Sequence, residues 1–304
     1  MIPDFQTLML PLLKCIGDFK EYSKKELVTV LADVMNLTDE EKVQMLPSGN
    51  QPVFYNRVSW VFAHFKIAKL IETPRRGVIK ITQAGIDILK TNPQVINLEL
   101  LRTLPTYIEA RNAWKNKSAE TTEALKEDEN EIETPEELIE NGYQKIRKSL
   151  EQELLLKLKT VDPYFFERIV VELLVKMGYG GSIQDAGKAI GKSGDGGIDG
   201  IIKEDKLGLD VIYVQAKRWE GVVGRPELQK FVGALAGQRA KKGVFITTSH
   251  FTKDASEYAI QMDTKIVLID GDRLSQYMID CNLGVSIQNT YELKKIDLDY
   301  FEEE

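Results

Sequence analysis

Residues 194–219 constrain the fold of this chain most, because they place an acid, an amide and an ammonium group on two apolar runs that can pair. Asp199 lies on a short, glycine-framed run, and Gln215 and Lys217 end a second run. Strand side chains alternate between faces, so Gln215 and Lys217 share one face. The polar segment 203–208 predicts a hairpin between the two runs. The sequence therefore predicts that these three side chains converge.

Such a convergence is typical of a metal-dependent phosphodiesterase. The reaction needs a metal ion that polarises the phosphate and activates water, and positive charge where the transition state develops negative charge. Asp199, the Gln215 side-chain oxygen and the Ala216 carbonyl are the predicted ligands of Mg²⁺, with Mn²⁺ as an alternative ion, because hard cations prefer oxygen. Lys217 either orients the attacking water and helps to deprotonate it, or stabilises the transition state. Glu167 is predicted as an additional catalytic carboxylate, acting through water or a second metal ion.

The composition argues against other chemistries. The two histidines and two cysteines are scattered along the chain without the spacing of zinc ligands, which argues against a Cys/His zinc site and against Ser-His or Cys-His nucleophilic catalysis. Residues 191–193 read Gly-Lys-Ser, as at the end of a P-loop, but Ala186 occupies the position of that loop's first glycine. No nucleotide cofactor is therefore expected. No apolar run approaches the roughly 20 residues of a membrane span, so a soluble, cytoplasmic protein is expected.

The formal net charge of −7 is unevenly distributed along the chain. Residues 1–92 carry 12 basic and 10 acidic side chains, whereas residues 93–160 carry 10 and 14. Residues 161–304 carry 18 and 23, and five of those acids lie within residues 297–304. Net charge therefore neither supports nor excludes a nucleic-acid partner, and local patches must decide.

Residues 1–92 predict a winged-helix DNA-binding domain. Capping boxes at Ser23 and Thr38 each predict the start of a helix. A third helix, over residues 52–70, is apolar on one face. The hairpin of residues 71–81 follows, with two arginines at its tip.

The predicted DNA contacts of this domain lie on the third helix and on the hairpin tip, because a winged helix docks its third helix in the major groove. They are Asn56, Arg57, Trp60, Lys66, Arg75 and Arg76. The sequence leaves two alternatives open. The arginines could be ordinary solvated turn residues, and Trp60 could pack against a neighbouring domain.

The middle of the chain predicts a connection between two domains. Residues 93–133 lose hydrophobic periodicity and predict a polar, partly disordered linker. Residues 134–160 predict an amphipathic helix that begins with a capping box at Thr134. Its apolar stripe comprises Ile139, Tyr143, Ile146, Leu150, Leu154 and Leu158. This stripe either packs on its own domain or pairs with a second copy of the helix.

Residues 161–304 alternate apolar strands with helices, which predicts an α/β domain whose mixed sheet is covered on both faces. Arg218 follows the predicted catalytic lysine, and Arg225 starts the next helix. Helix-terminal amides and cationic side chains both favour phosphate. These two arginines are therefore predicted to contact DNA.

The residues also carry a family resemblance. Asp199 with Gln215-Ala216-Lys217 resembles the PD-(D/E)xK nuclease signature, in the variant where glutamine replaces the second acid. The segments LVKMGYGG, GDGGIDG, VIYVQAKRW, RPELQKFVGALAGQ, KKGVFITTS and LIDGDRL resemble the catalytic domain of the Mrr family of type IV restriction endonucleases. The N-terminal pattern of that family is matched by Ser48, Gly49, Tyr55, Asn56, Arg57, Trp60, Lys66, Ala68, Leu70 and Ile71.

The resemblance implies a magnesium-assisted nuclease that cuts foreign DNA bearing methylated bases, with Asp199, Gln215 and Lys217 at the catalytic positions and Glu167 as the helix acid. Glutamine in place of an acid leaves the site one negative charge poorer, so weak metal binding is expected in the absence of DNA. Cutting two strands predicts a homodimer or a higher homo-oligomer on double-stranded DNA. The alternatives are a winged-helix regulator with an inactive nuclease fold and a structure-specific repair nuclease.

Overall fold

A computed structural model describes residues 1–118, 132–180, 198–205, 209–296 and 300. The chain forms two compact units, Met1–Lys145 and Ile146–Glu304. The glycine-rich residues 191–197 and the turn residues 206–208 lie outside the described residues. In the described ranges, no helix combines the length and the apolarity that a membrane crossing requires.

The first unit has the winged-helix order that its sequence predicts. Its elements are α1 (Phe5–Cys15), β1 (Tyr22–Ser23), α2 (Lys24–Val34), α3 (Asp39–Val43), α4 (Val53–Ile67), β2 (Ile71–Glu72), β3 (Val78–Ile81), α5 (Gln83–Lys90), α6 (Leu98–Leu101) and α7 (Pro105–Ser118). Antiparallel pairing gives a three-stranded sheet in the order β1-β3-β2. The β2–β3 hairpin is the predicted wing, and Gly77 supplies the left-handed φ of 72° within its turn.

Local sequence signals set the helix starts in this unit. The hydroxyl of Ser23 accepts the Glu26 amide at 3.1 Å, and Thr38 and Glu41 form a reciprocal capping box. Phe54, Val58 and Phe65 of α4 are buried in the core of the unit. The predicted third helix, residues 52–70, is confirmed with slightly shorter bounds.

The prediction that a linker begins at residue 93 is wrong. Ile96 and Leu101 are fully buried, Tyr107 is 8 % exposed, and all three belong to the core of the first unit. Helix α6 has only four residues, which is too short to display a helical period in the sequence. Residues 119–131, in the predicted linker, lie outside the described residues.

Helix α8 (Pro135–Thr160) confirms the predicted amphipathic helix, and its stripe divides into two parts. Leu154 and Leu158 are buried in a core of the second unit. In contrast, Tyr143 and Ile146 are 55 % and 71 % exposed. Only the C-terminal part of the stripe therefore packs on its own domain.

The second unit is an α/β domain with a mixed four-stranded sheet in the order β4-β5-β6-β7. Its further elements are α9 (Pro163–Lys176), β4 (Gly200–Lys203), β5 (Val211–Lys217), α10 (Arg225–Gly237), β6 (Lys242–Thr247), α11 (Lys253–Gln261), β7 (Lys265–Ile269) and α12 (Gly271–Asp280). Strand β4 is antiparallel to β5, and β5, β6 and β7 are parallel.

Both faces of this sheet are covered, as predicted. Ile212, Val214 and Ala216 of β5 enter a core that also contains residues of α8, α9 and α12. Tyr213 packs on the opposite face, in the cluster of Phe231. The alternation that places Gln215 and Lys217 on one face is therefore confirmed.

Candidate active site and DNA-binding surface

The β4–β5 hairpin brings Asp199 to the end of β5. The Asp199 amide donates to the Val214 carbonyl at 2.9 Å, and the Ala216 amide donates to Asp199 Oδ2 at 2.8 Å. Gly200 pairs with Val214 at the end of β4. The two Asp199 hydrogen bonds therefore reach the residues on either side of Gln215. The predicted approach of Asp199 to Gln215 therefore follows from backbone pairing.

Two carboxylates and one ammonium group interact at this point. Burial raises the pKa of Asp199, while the Ala216 amide and the Lys217 charge oppose that rise. Glu167 on α9 also has a raised pKa, caused first by burial, then by the negative charge of Asp199, and opposed by Lys217. The structure thus brings Glu167 within electrostatic range of both groups. Gln215 is 4 % exposed and the other three side chains are half-buried, so this cluster lies at a partly enclosed strand end.

The oxygen groups here fit a hard divalent cation. Two carboxylates with raised pKa values gain from a nearby positive charge, because a cation favours their ionised forms. The Gln215 amide oxygen and the Ala216 carbonyl are neutral ligands of the type that Mg²⁺ accepts. Among the described residues, no group of three or more His, Cys, Asp or Glu side chains is placed to hold a metal ion. A metal at this strand end would therefore depend on neutral oxygens beside the acids.

A group of hydroxyls that was not among the predicted site residues holds the chain beyond Lys217. Thr247 Oγ1 donates to the Lys217 carbonyl at 2.9 Å, and Thr248 Oγ1 donates to the Trp219 carbonyl at 2.9 Å. Ser249 Oγ donates to the Glu220 carbonyl at 3.4 Å. All three side chains are buried. They position the segment that follows Lys217. The Thr-Thr-Ser sequence at the end of β6 is the feature of the sequence that could have indicated these contacts.

Arg218 makes a protein contact that the prediction of a DNA contact did not anticipate. Its Nη1 donates to the Lys159 carbonyl in the last turn of α8. Cations are favourable at helix C-termini, where carbonyl groups lack partners. Its Nε is buried and has no hydrogen-bond partner among the described residues. The guanidinium therefore caps α8 in this structure, and the predicted DNA contact of Arg218 stays a prediction.

Arg225 lies at the start of α10, as predicted. Its Nη1 is 3.2 Å from Asp254 Oδ1, and its guanidinium lies 4.7 Å from the centre of the Tyr258 ring. The side chain is still 44 % exposed. Exposed ion pairs are weak, so these contacts leave Arg225 accessible.

In the first unit, three predicted DNA contacts on α4 are engaged by the start of α8. Asn56 is 2 % exposed and accepts the Thr134 hydroxyl. Arg57 Nη2 donates to Glu137 Oε1 at 2.7 Å, and its Nη1 donates to the Ile2 and Pro3 carbonyls. The Trp60 ring nitrogen donates to Glu136. We call Thr134, Glu136 and Glu137 the α8 clasp.

The α8 clasp changes the interpretation of α4. The sequence placed Asn56, Arg57 and Trp60 on or beside a free polar face, because nothing local indicates a partner far along the chain. In this structure that side of α4 is covered by the start of α8, and the DNA contacts of these three residues stay a prediction. Lys66 lies on another side of α4 and is exposed. Arg75 is 74 % exposed at the wing and pairs with Glu21 at 3.1 Å.

The mixed sheet with Asp199 and Gln215-Ala216-Lys217 at one strand end, covered by helices, defines a nuclease domain of the restriction-endonuclease class. Residues 158–278 match the Mrr catalytic-domain family, described as restriction endonuclease, and residues 5–91 match the Mrr N-terminal domain. The chain is 37 % identical over 306 residues to the type IV methyl-directed restriction enzyme EcoKMrr of Escherichia coli (strain K12), across 99 % of each chain. It belongs to the Mrr family of restriction endonucleases, and it is a DNA nuclease.

Two solved structures of restriction enzymes are more distant. The modification-dependent restriction endonuclease AspBHI is 17 % identical, with 71 % of this chain and 56 % of that chain covered and a TM-score of 0.34. The MspJI restriction endonuclease in complex with a 27-mer oligonucleotide is 21 % identical, with 52 % and 35 % covered and a TM-score of 0.27.

Proposed function

We propose that this protein hydrolyses phosphodiester bonds of double-stranded DNA that carries methylated bases, with Mg²⁺ as its metal ion. The observation that carries the proposal is the Asp199 carboxylate, held by the Ala216 amide at the end of β5 and within electrostatic range of Glu167 and Lys217. The methylated substrate is proposed from the similarity to EcoKMrr, which is described as methyl-directed.

Each residue at the strand end has a proposed part in hydrolysis. Mg²⁺, where bound, polarises the scissile phosphate and lowers the pKa of a water molecule. Asp199, Gln215 and the Ala216 carbonyl would hold the ion, and Glu167 would add a carboxylate through water. Lys217 would either stabilise the charge that develops on the phosphate, or orient the attacking water and help to deprotonate it. The amide of Ala216 holds one oxygen of Asp199, so the other oxygen would be the one to bind the ion.

A cleavage assay tests this proposal. Purified full-length protein is incubated with Mg²⁺ or Mn²⁺ and with matched methylated and unmethylated plasmids. We expect cleavage of the methylated plasmid only. Equal cleavage of both plasmids would instead support a structure-specific repair nuclease, and cleavage of neither would support a regulator with an inactive nuclease fold.

Variants connect the cleavage to the strand end. Asp199→Ala and Lys217→Ala should each slow cleavage at least about a hundredfold, the scale seen when one electrostatic stabiliser is removed. Lys265→Ala is the matched control, because Lys265 is exposed and begins β7 at the opposite end of the parallel strands. Loss of cleavage in this control as well would point to a folding defect rather than to the proposed site.

We further propose that two copies act together on DNA, because two strands require two such strand ends. Light scattering with and without duplex DNA measures the assembly, and a strictly monomeric complex that still cuts both strands would contradict it. The cytoplasm is the proposed location. The unpaired cysteines Cys15 and Cys281 are consistent with a reducing compartment.

A further inference from the structure

Only part of the α4 surface remains accessible in the first unit. The α8 clasp covers the side that carries Asn56, Arg57 and Trp60. The core side is buried as well. A duplex that docks on α4 must therefore approach a third side.

The third side of α4 carries Tyr55, Ser59 and Lys66. These residues are spaced by four and seven positions, so they lie along one side of the helix. Tyr55 is 42 % exposed, Ser59 is half-buried, and Lys66 is exposed. Tyr55 is therefore an exposed aromatic side chain on the accessible side of the third helix.

Lys24 of α2 extends over the same side. Its Nζ lies 5.9 Å from the centre of the ring of Phe62, a core residue at the border of this side. The Lys24 amide donates to the Gly77 carbonyl of the wing at 2.8 Å. Lys24 thus stands where α2, α4 and the wing meet.

The two lysines form a local concentration of positive charge. Partial burial lowers the pKa of Lys66, and the charge of Lys24 lowers it further. In the described part of the chain, neither lysine forms an ion pair with a carboxylate. Like charges held close together without acidic partners favour an anionic ligand. With Arg75 on the adjoining wing, the charges complement a DNA backbone.

We infer that duplex DNA docks on the Tyr55–Ser59–Lys66 side of α4, with Lys24 and Lys66 on phosphates and Tyr55 against a base edge in the major groove. This inference rests on the proposed function and names the surface that serves it. Phosphate contacts set register, and base-edge contacts set specificity. A methyl group on cytosine C5 or adenine N6 projects into the major groove, and an exposed aromatic ring offers it an apolar contact. Tyr55 is therefore the residue that distinguishes methylated from unmethylated sites.

Binding of the full-length protein to labelled duplexes tests the docking surface, with EDTA present so that no cleavage occurs. The variant combines Lys24→Ala with Lys66→Ala, and the matched control combines Lys14→Ala with Lys90→Ala, two lysines at the ends of α1 and α5. Each phosphate contact contributes about 0.9 to the slope of log affinity against log salt. We expect the slope of the Lys24/Lys66 variant to fall by about 1.8 and its affinity to fall at least about tenfold on both duplexes. The control should match the wild type.

Unchanged slope and affinity in a folded Lys24/Lys66 variant would overturn the docking surface. If that variant fails to fold, Lys24→Arg with Lys66→Arg should retain both the slope and the affinity, and loss of binding in this arginine variant would also overturn the docking surface.

Tyr55→Ala should lower the ratio of affinities for methylated and unmethylated duplexes, and Tyr55→Phe should keep that ratio. An unchanged ratio in Tyr55→Ala would contradict the inference that Tyr55 distinguishes methylated from unmethylated sites. If wild-type protein shows neither methyl preference nor cleavage, the proposed function fails while the salt slopes still report the docking surface.

Discussion

Glu137→Ala should destabilise the first unit, because Glu137 serves two partners at once. Its Oε1 accepts from Arg57 Nε at 3.0 Å and from Nη2 at 2.7 Å, and its Oε2 accepts the Thr134 amide at 2.9 Å. The Arg57 and Glu137 side chains are only 16 % and 9 % exposed. Alanine would therefore leave a partly buried guanidinium without its counter-ion and an amide without its cap.

The size of the loss follows from these contacts. Removing one partner of a buried ion pair costs about 3–5 kcal/mol. Arg57 keeps its bonds to the Ile2 and Pro3 carbonyls, so the lower end, about 3 kcal/mol, is expected. For a unit of this size, 1 kcal/mol shifts the melting temperature by roughly 2–4 °C, so a fall of about 6–12 °C is expected.

Scanning calorimetry of the full-length protein measures this shift, with Glu140→Ala as the matched control on the same helix. Arg57→Met combined with Glu137→Ala should cost less than the sum of the two single changes, because no uncompensated charge remains. Equal melting temperatures for Glu137→Ala and Glu140→Ala would refute the reasoning, since the ion pair would then contribute nothing.

Three further outcomes follow from the strand end and the wing. Asp199→Asn should raise the melting temperature at neutral pH. Because the pKa of Asp199 is raised, the folded state binds the carboxyl proton more readily than the unfolded chain does. The ionised Asp199 therefore lowers the stability of the fold at any pH above its folded pKa. The gain should vanish at a pH below the ordinary carboxyl pKa, and a gain independent of pH would contradict the cause. Gln215→Glu should tighten Mg²⁺ binding to the DNA-free protein, as measured by calorimetry. Tight Mg²⁺ binding by the DNA-free wild type would contradict the proposal that DNA phosphate completes the metal site. Arg75→Ala with Arg76→Ala should weaken DNA binding and flatten its salt dependence, and unchanged affinity would remove the wing from the DNA contacts.

Local signals in the sequence were sufficient for most of the architecture. Capping residues located the starts of α2 and α3, and alternation of side chains placed Gln215 and Lys217 on one face. The β4–β5 hairpin then followed from two apolar runs and a polar turn. These features depend on neighbours a few residues apart, which is why they can be predicted from one sequence.

The covered side of α4 could not be predicted in this way. Thr134 and Glu137 lie 78 and 80 residues from their partners Asn56 and Arg57. The Thr-Pro-Glu-Glu sequence correctly indicated a capping box, and Glu137 does accept the Thr134 amide. Its second role, as the counter-ion of Arg57, leaves no local signal. Arg218 is similar, because its partner is a main-chain carbonyl, which every residue possesses.

The α8 clasp also bears on how members of this family can diverge. A change at Asn56 or Arg57 alters the stability of the first unit, so it would persist only with a matching change at Thr134 or Glu137. Ser59, which is not part of the family pattern, carries no such link in the described part of the chain and can vary singly. Relatives should therefore differ freely at Ser59, while the covered side of α4 and the start of α8 change together.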